Sequence, residues 1–194
     1  HERRAAEIAA AIWPNGHITT GHSLLSEARE FERGVTASVN AAVQPILERY
    51  VARLRQDLEA RGYGRDFLMM NGNGGMISAR FVTRESAKTV MSGPASGVIA
   101  AAYTGRRAGY DNLVTYDMGG TSTDVALIRN AEPAVSNEIE IEYAMPVHLP
   151  MVAVHTVGAG GGSIVRVDAS GLIQVGPESA GANPGPICYG RGGT

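Results

Sequence analysis

The sequence lacks the features that are typical of disulfide-bonded, nucleic-acid-binding, membrane and secreted proteins. Its 194 residues contain one cysteine, Cys188, so an intrachain disulfide is impossible and a reducing compartment is expected. Lys and Arg (17) nearly balance Asp and Glu (19), and the basic residues are dispersed, which disfavours nucleic acid. Apolar runs are too short to span a membrane, and the charged first residues do not resemble a signal peptide. These absences predict a cytoplasmic protein that binds neither membranes nor nucleic acid.

Hydrophobic residues make up 44% of the chain and aromatic residues 6%, a composition typical of a soluble α/β protein. The pattern predicts a helix over residues 1–12 and a longer helix from about Thr36 or Ser38 to Arg61, with a kink or a second start at Pro45. Residues 18–25 are predicted to form a short strand or a loop.

Short strands are predicted in the remaining two thirds. A helix of small residues is predicted over 92–103, with Gly109 after its end. The strands expected from β-branched, apolar or alternating residues are 67–70, 113–116, 125–128, 138–143, 151–155, 163–167 and 172–175. The last segment, residues 176–193, is rich in glycine and proline and is expected to be irregular.

The segment YDMGGTSTDVALI, residues 116–128, carries the strongest chemical signal. It is predicted to form a hairpin with a glycine turn, because Gly119 and Gly120 lie between two strand patterns. Asp117 and Asp124 flank that turn, and pairing of the two strands would bring their carboxylates together. Carboxylates alone repel phosphate, so this arrangement predicts Mg²⁺ between them and a bound phosphate.

The turn itself offers donors to an anion. The N–H groups of Gly119 and Gly120 can approach a phosphate closely, and Thr121, Ser122 and Thr123 add hydroxyl groups. The alternative is an Asp- and Gly-rich turn that binds no ligand.

A second glycine cluster, GAGGGS at residues 158–163, follows the predicted strand 151–155. The segment after it alternates like a strand, so it does not match a dinucleotide-binding loop, and the chain has no GK[ST] sequence of a P-loop. Gly160 and Gly161 are candidate phosphate-binding residues, either in a backbone nest or in a flexible lid. A packing turn is the alternative.

Two further residues have side chains that could take part in catalysis, but neither belongs to a recognisable motif. His155 could serve as a general base or a metal ligand, although a hydrogen-bonded structural histidine fits a single His at least as well. Cys188 and His155 would form a thiol hydrolase pair if the fold joined them, whereas a lone cysteine is more often a small buried apolar residue.

Four blocks carry a family resemblance. They are SGPASGVIAAA at residues 92–102, GYDNLVTYDMGGTSTDVALI at 109–128, PMVAVHTVGAGGGSI at 150–164 and GPESAGANPGPICYGRGG at 176–193. The order of helix, strand, DMGGTSTD and strand resembles the second phosphate loop of the actin-like ATPase superfamily. In that superfamily the four blocks resemble the hydantoinase/oxoprolinase family, specifically its hydantoinase A type subunit.

The resemblance implies an α/β fold of the actin-like ATPase (ribonuclease H-like) class, with a mixed β-sheet and hairpins flanked by helices. It implies that residues 1–90 form a helical and connecting part and residues 91–194 the nucleotide-binding half. The implied cofactors are ATP and Mg²⁺, with Asp117 and Asp124 as catalytic metal ligands. The expected function is ATP-dependent hydrolysis of a cyclic amide such as a hydantoin or 5-oxoproline, which is activated by phosphorylation.

Two other functions stay open on this resemblance: the ATP-handling subunit of an acetone- or acetophenone-type carboxylase, and a non-catalytic actin-like nucleotide switch. The resemblance also implies a hydantoinase B type partner subunit. The first phosphate loop of the family is missing from the sequence, so we expect a fragment of a longer protein that binds ATP weakly or not at all alone. His148 and the turn NGNGG at residues 71–75 depart from the family pattern and leave the substrate open.

Overall fold

The computed structural model describes residues 1–140 and 146–193. Its helices are α1 Glu2–Ile12, α2 Gly21–Leu24, α3 Glu30–Ala60 and α4 Ser92–Arg107, and 3₁₀ helices cover Val82–Thr89 and Ile187–Tyr189. Its strands are β1 Leu68–Met70, β2 Met76–Ser78, β3 Leu113–Met118, β4 Thr123–Arg129, β5 Glu132–Pro133, β6 Val135–Ser136, β7 Ile139–Glu140, β8 Pro146–Val147, β9 Met151–Val152, β10 Val154–Val157, β11 Ser163–Val167 and β12 Ile173–Ser179. None of the described helices is both long enough and apolar enough to cross a membrane.

The chain divides into two compact units. Unit 1 contains residues 1–96 and 135–152, and unit 2 contains residues 97–134 and 153–194. The boundary therefore falls within α4. The predicted division into functional parts at residues 90 and 91 stays a prediction.

Unit 1 is built on the long helix α3. One apolar cluster joins Leu47 and Val51 of α3 to Ala79 and Val82, and a second cluster contains Ala87, Val147, Leu149 and Met151. The fully buried Asn40 of α3 is completely paired: its Nδ2 donates to Thr19 Oγ1 and the Arg84 carbonyl, and its Oδ1 accepts from the Ala87 N–H. A buried amide with all its partners costs little and fixes the segments around α3 in one arrangement.

The strand pairs of unit 1 are short. β1 pairs with β2, β6 with β9 and β7 with β8, each antiparallel.

Unit 2 contains the larger sheet. Its order is β10-β4-β3, with β5 also paired to β4, and β11 pairs with β12 in a separate hairpin. All of these pairings are antiparallel. Ala126 and Ile128 of β4 are buried, as are Val98 and Ala102 of α4. Gly105 of α4 leaves room for the Leu113 side chain, because a Cβ there would lie 2.3 Å from Leu113 Cδ1.

Most predicted elements are present, and the α/β class with hairpins and flanking helices is confirmed. The strand or loop expected over 18–25 is partly right: residues 18–20 and Leu25 form neither helix nor strand, but α2 forms at Gly21–Leu24. Gly21 lets α2 approach α3, where a Cβ would lie 2.9 Å from Arg33 Cβ. α3 begins at Glu30, earlier than predicted, since Glu30 and Glu32 favour a helix N-terminus. It also continues through Pro45.

Two predicted strands differ in detail. The single strand expected over 151–155 is divided at Ala153 into β9 and β10, which pair with different partners. The strand 67–70 forms, but Leu68 is exposed, so it is less buried than expected. Of the strand predicted over 138–143, residues 141–143 lie outside the described residues.

Candidate functional site

The hairpin of β3 and β4 brings the two predicted carboxylates together. Asp117 and Asp124 are directly opposite each other in the register, next to the pair formed by Met118 and Thr123 that closes the turn. Directly opposed residues in an antiparallel pair extend on the same face, with Cβ atoms about 4.5–5.5 Å apart. Asp117 is exposed and Asp124 is half-buried. The site therefore offers two carboxylates to a ligand from solvent.

A third strand adds a hydroxyl group to this row. Thr156 of β10 is the register partner of Asp124 on its other side, and its Oγ1 donates a hydrogen bond of 2.6 Å to Asp124 Oδ1. Asp117, Asp124 and Thr156 thus form one row across three strands. No sequence pattern marks Thr156, because only the pairing of β10 with β4 places it beside Asp124.

The turn between the strands presents backbone donors. The Gly119 N–H donates to the Ser122 carbonyl at 2.8 Å and closes the turn. The N–H groups of Gly120, Thr121 and Ser122 have no acceptor within the described part of the chain. Gly120 and Thr121 are also exposed. Unpaired N–H groups in a glycine turn can bind an anionic oxygen.

Thr123 has a different environment from its neighbours. It is 3% exposed, and its Oγ1 donates to the Ala159 carbonyl at 2.5 Å. Its hydroxyl therefore holds the second glycine loop against the turn.

The loop at residues 158–162 packs directly on the turn. A Cβ on Gly160 would lie 2.6 Å from the Ser122 nitrogen and 2.7 Å from both the Gly119 oxygen and the Thr121 nitrogen, so only glycine fits there. The Gly161 N–H donates to the Gly119 carbonyl at 2.9 Å.

The neighbouring N–H groups are engaged as well. Gly162 donates to the Gly120 carbonyl at 2.7 Å, and Gly160 donates to Ser163 Oγ at 2.9 Å. The Gly161 and Gly162 donors thus hold the turn, and the Gly160 donor holds its own loop. Direct phosphate binding by Gly160 and Gly161 stays a prediction.

The donor set fits a hard divalent cation. Asp117 and Asp124 provide carboxylate oxygens, which Mg²⁺ prefers, and Mg²⁺ commonly completes its shell with water and phosphate oxygens. Residues 1–140 and 146–193 contain no group of three or more His, Cys, Asp or Glu side chains that could enclose a metal ion without such additional ligands.

His155 and Cys188 do not join this row. His155 is the register partner of Val125, and successive strand residues face opposite sides, so its side chain extends from the opposite face to Asp124. Cys188 is exposed and lies in the 3₁₀ helix Ile187–Tyr189. No hydrogen bond joins it to His155 within the described residues, so the thiol pair has no geometric support.

The two departures from the family pattern share one cavity in unit 1. His148 and the turn residues Asn71 and Asn73 line a space of about 520 Å³ together with Lys88. His148 Nδ1 lies 2.9 Å from Glu27 Oε2, and its side chain is 12% exposed. His148 is therefore held by protein contacts rather than extended toward solvent.

Sequence comparison places the chain among known proteins. The hydantoinase/oxoprolinase family model matches residues 33–194. Caprolactamase subunit alpha of Pseudomonas jessenii is 39% identical over 194 residues, covering 100% of this chain and 28% of the relative. Acetophenone carboxylase gamma subunit of Aromatoleum aromaticum is 38% identical over 100% of this chain and 27% of its own length. 5-Oxoprolinase of Dictyostelium discoideum is 32% identical, covering 100% of this chain and 16% of the relative.

Structure comparison agrees. The crystal structure of the ATP-dependent caprolactamase from Pseudomonas jessenii matches with a TM-score of 0.75 and 37% identity, over 100% of this chain and 28% of that one. The chain therefore spans less than a third of the length of each of these relatives. On the family match and these identities, the chain belongs to the hydantoinase/oxoprolinase family.

Proposed function

We propose that this chain is the phosphate-binding part of an enzyme that hydrolyses a cyclic amide with the use of ATP. One observation carries the proposal: two opposed carboxylates flank a turn whose N–H groups at Gly120, Thr121 and Ser122 have no acceptor among residues 1–140 and 146–193. Phosphoryl transfer requires ligands for a metal ion next to hydrogen-bond donors for the anionic phosphate. The similarity to an ATP-dependent caprolactamase and to a 5-oxoprolinase supports the choice of a cyclic amide as substrate.

The proposed roles follow from position. Asp117 and Asp124 hold Mg²⁺, which when bound would neutralise charge on the phosphate oxygens. The free N–H groups of the turn and the hydroxyl groups of Thr121 and Ser122 donate to the terminal phosphate. Preorganised donors of this kind stabilise developing charge without reorganisation.

The remaining predicted binding residues act mainly through the turn. Gly119 closes it, and Thr123, Gly160 and Gly161 keep it in one conformation by their contacts with the second glycine loop. We propose that residues 91–194 form the nucleotide-binding half and residues 1–90 a connecting part.

The proposal also covers the partner subunits and the cellular location of the whole protein. The relatives named as alpha and gamma subunits support assembly with other subunits, and we propose a hydantoinase B type partner. An unpaired Cys188 is consistent with a reducing, cytoplasmic location.

A second candidate function is the ATP-handling subunit of a carboxylase. The observation that favours it is the 38% identity to the acetophenone carboxylase gamma subunit, about as high as that to the caprolactamase subunit. A nucleotide switch without catalysis is the third candidate, and it predicts that the state of the bound nucleotide controls partner binding.

The test uses the full-length protein with its partner subunits and compares Asp124→Asn with Asp111→Asn, the same substitution at an exposed residue just before β3. We expect Asp124→Asn to lower kcat/KM for ATP hydrolysis by about 10²- to 10³-fold, the range seen when a transition-state donor or charge partner is removed. Asp111→Asn should leave it unchanged. Equal activities of the two variants would contradict the proposed site.

The same assay distinguishes the three functions. ATP hydrolysis that depends on ε-caprolactam or 5-oxoproline supports the cyclic amide hydrolase. Hydrolysis that depends instead on a ketone with bicarbonate supports the carboxylase. An Asp124→Asn protein that loses hydrolysis and keeps unchanged partner assembly counts against the nucleotide switch.

A further inference from the structure

We propose that Thr156 is a positioning residue that orients the Asp124 carboxylate for a divalent cation. The inference rests on the proposed function, because it assumes that Asp124 is a metal ligand. It assigns a role to a residue on a strand outside the hairpin that contains the carboxylates and the turn.

The hydrogen bond has the geometry of a strong, charge-assisted contact. Thr156 Oγ1 donates to Asp124 Oδ1 at 2.6 Å, and O–H···O⁻ bonds of about 2.5–2.7 Å are shorter and stronger than neutral ones. The hydroxyl has one proton, so donation to Asp124 uses it completely. The carboxylate keeps Oδ2 and a further lone pair of Oδ1 for a cation.

Strand register and restricted side-chain rotamers together fix the position of the Thr156 hydroxyl. The ladder between β10 and β4 aligns Thr156 with Asp124, Val157 with Thr123 and His155 with Val125. Threonine is β-branched and has few accessible χ1 rotamers, so its hydroxyl direction is largely set by the backbone. The two partners are therefore aligned before any ligand binds.

The two carboxylates differ in this respect. Asp124 has the Thr156 donor, whereas the Asp117 carboxylate has no side-chain donor within the described residues. A ligand whose direction is preset loses less freedom when it coordinates a cation. Asp124 is thus the preoriented ligand of the pair.

A purely structural role predicts a different result. The bond lies in an exposed environment, where a hydrogen bond exchanges with water and contributes little to stability. Replacement of Thr156 by valine keeps the shape and the strand preference, so the sheet should remain folded. A large change in metal binding with a small change in thermal stability would separate positioning from structure.

The experiment measures Mn²⁺ affinity by electron paramagnetic resonance, in the presence of ADP, on the full-length protein. Thr156→Val is compared with Thr156→Ser and with Thr115→Val, the same substitution one row along the same face of the sheet. We expect Mn²⁺ binding by Thr156→Val to weaken by about 10- to 100-fold, as is typical when a hydrogen-bond partner of a metal ligand is removed. Thr156→Ser should restore binding to within about 3-fold of wild type, since the donor is retained. Thr115→Val should bind as wild type does.

Asp124→Asn is measured in parallel and separates the two hypotheses. If Asp124→Asn loses Mn²⁺ affinity and Thr156→Val does not, the positioning role is wrong and the proposed function stands. If neither variant changes the affinity, both are wrong. If Thr156→Val does not fold, Thr156→Ala replaces it, and an affinity equal to that of Thr156→Ser overturns the inference.

Discussion

Two glycine-rich turns in this chain connect short antiparallel strands, and they differ in what their N–H groups bind. In the turn between β1 and β2, the Asn71 N–H donates to the Gly75 carbonyl, Gly72 to the Lys88 carbonyl and Gly74 to the Asn71 carbonyl. The Gly75 N–H donates to Asn73 Oδ1. In the turn between β3 and β4, three consecutive N–H groups have no acceptor within the described residues.

The flanking residues differ in the same sense. The two register pairs nearest the first turn, Met70 with Met76 and Met69 with Ile77, contain no carboxylate. Beside the second turn, the pair of Met118 and Thr123 is followed by the pair of Asp117 and Asp124. In the first turn only the Asn73 N–H has no acceptor within the described residues, so its donors mainly stabilise the fold, whereas three unpaired donors beside carboxylates have unused capacity for a ligand. Glycine content alone therefore does not distinguish a binding turn from a structural one.

Among substitutions of glycine, the largest expected effect comes from Gly160→Ala in the full-length protein. The added Cβ would lie within 2.7 Å of three backbone atoms of the β3–β4 turn, so the turn must shift. We expect kcat/KM for ATP hydrolysis to fall by about 10²-fold, because displacement of catalytic donors by about 1 Å has effects of this size.

The matched control is Gly158→Ala in the same loop, where, apart from its two chain neighbours, no atom of the described residues lies within 4 Å of an added Cβ. Its activity should equal that of wild type. If Gly160→Ala keeps full activity, the backbone contact between the two glycine loops does not support the site.

A smaller effect, on stability alone, is expected at the first turn. In Gly72→Ala the new Cβ would lie 2.3 Å from the Val90 carbonyl oxygen, and the shift would disturb the bond from the Val152 N–H to the Gly72 carbonyl. Overpacking of this kind costs about 1–3 kcal/mol of unfolding free energy. Urea unfolding measures this change, and the affinity of the folded protein for Mn²⁺ with ADP should not change.

Gly34→Ala in α3 is the control for Gly72→Ala, because no atom of the described residues outside its own stretch of helix lies within 4 Å of its added Cβ. It should be neutral or stabilise by up to about 1 kcal/mol, since alanine favours the helix interior. A loss of Mn²⁺ affinity in Gly72→Ala, or a fall in its kcat/KM for ATP hydrolysis as large as that expected of Gly160→Ala, would remove the distinction between the two turns.

Local sequence patterns predicted much of the fold and, within the candidate site, the pairing of the two carboxylates. The pairing of Asp117 with Asp124 follows from a hairpin whose strands adjoin in sequence, so strand pattern and turn residues were sufficient. α4 and the hairpin of β11 and β12 were predicted for the same reason.

Features that depend on distant segments could not be predicted. Thr156 lies 32 residues from Asp124, and its role depends on the β10–β4 register. The division of residues 151–155 at Ala153 has the same cause, because β9 and β10 follow different partner strands. Similarly, α2 depends on the close approach of Gly21 to Arg33.

The turn between β11 and β12 extends the comparison of turns, and the smallest effect on stability is expected there. Asp168, between β11 and β12, is an aspartate that is fully used by its own turn: it accepts hydrogen bonds from the Ser170 hydroxyl and N–H, the Leu172 N–H and the Gln174 amide. The Ser170 hydroxyl, followed by the backbone N–H of Leu172, holds the pKa of the Asp168 carboxyl below its ordinary value.

Because the folded pKa is lowered, the contribution of ionised Asp168 to stability is complete above its unfolded pKa of about 3.9 and is lost as pH falls through the folded pKa. We therefore expect wild type to be more stable than Asp168→Asn at pH 6, and the difference in urea midpoint to shrink toward pH 2.5. A difference that does not vary with pH would mean that the charge of Asp168 does not stabilise the turn. Mn²⁺ affinity at pH 7 should be unchanged in Asp168→Asn, in contrast to Asp124→Asn, because a carboxylate already bonded to its own turn has little capacity left for a cation.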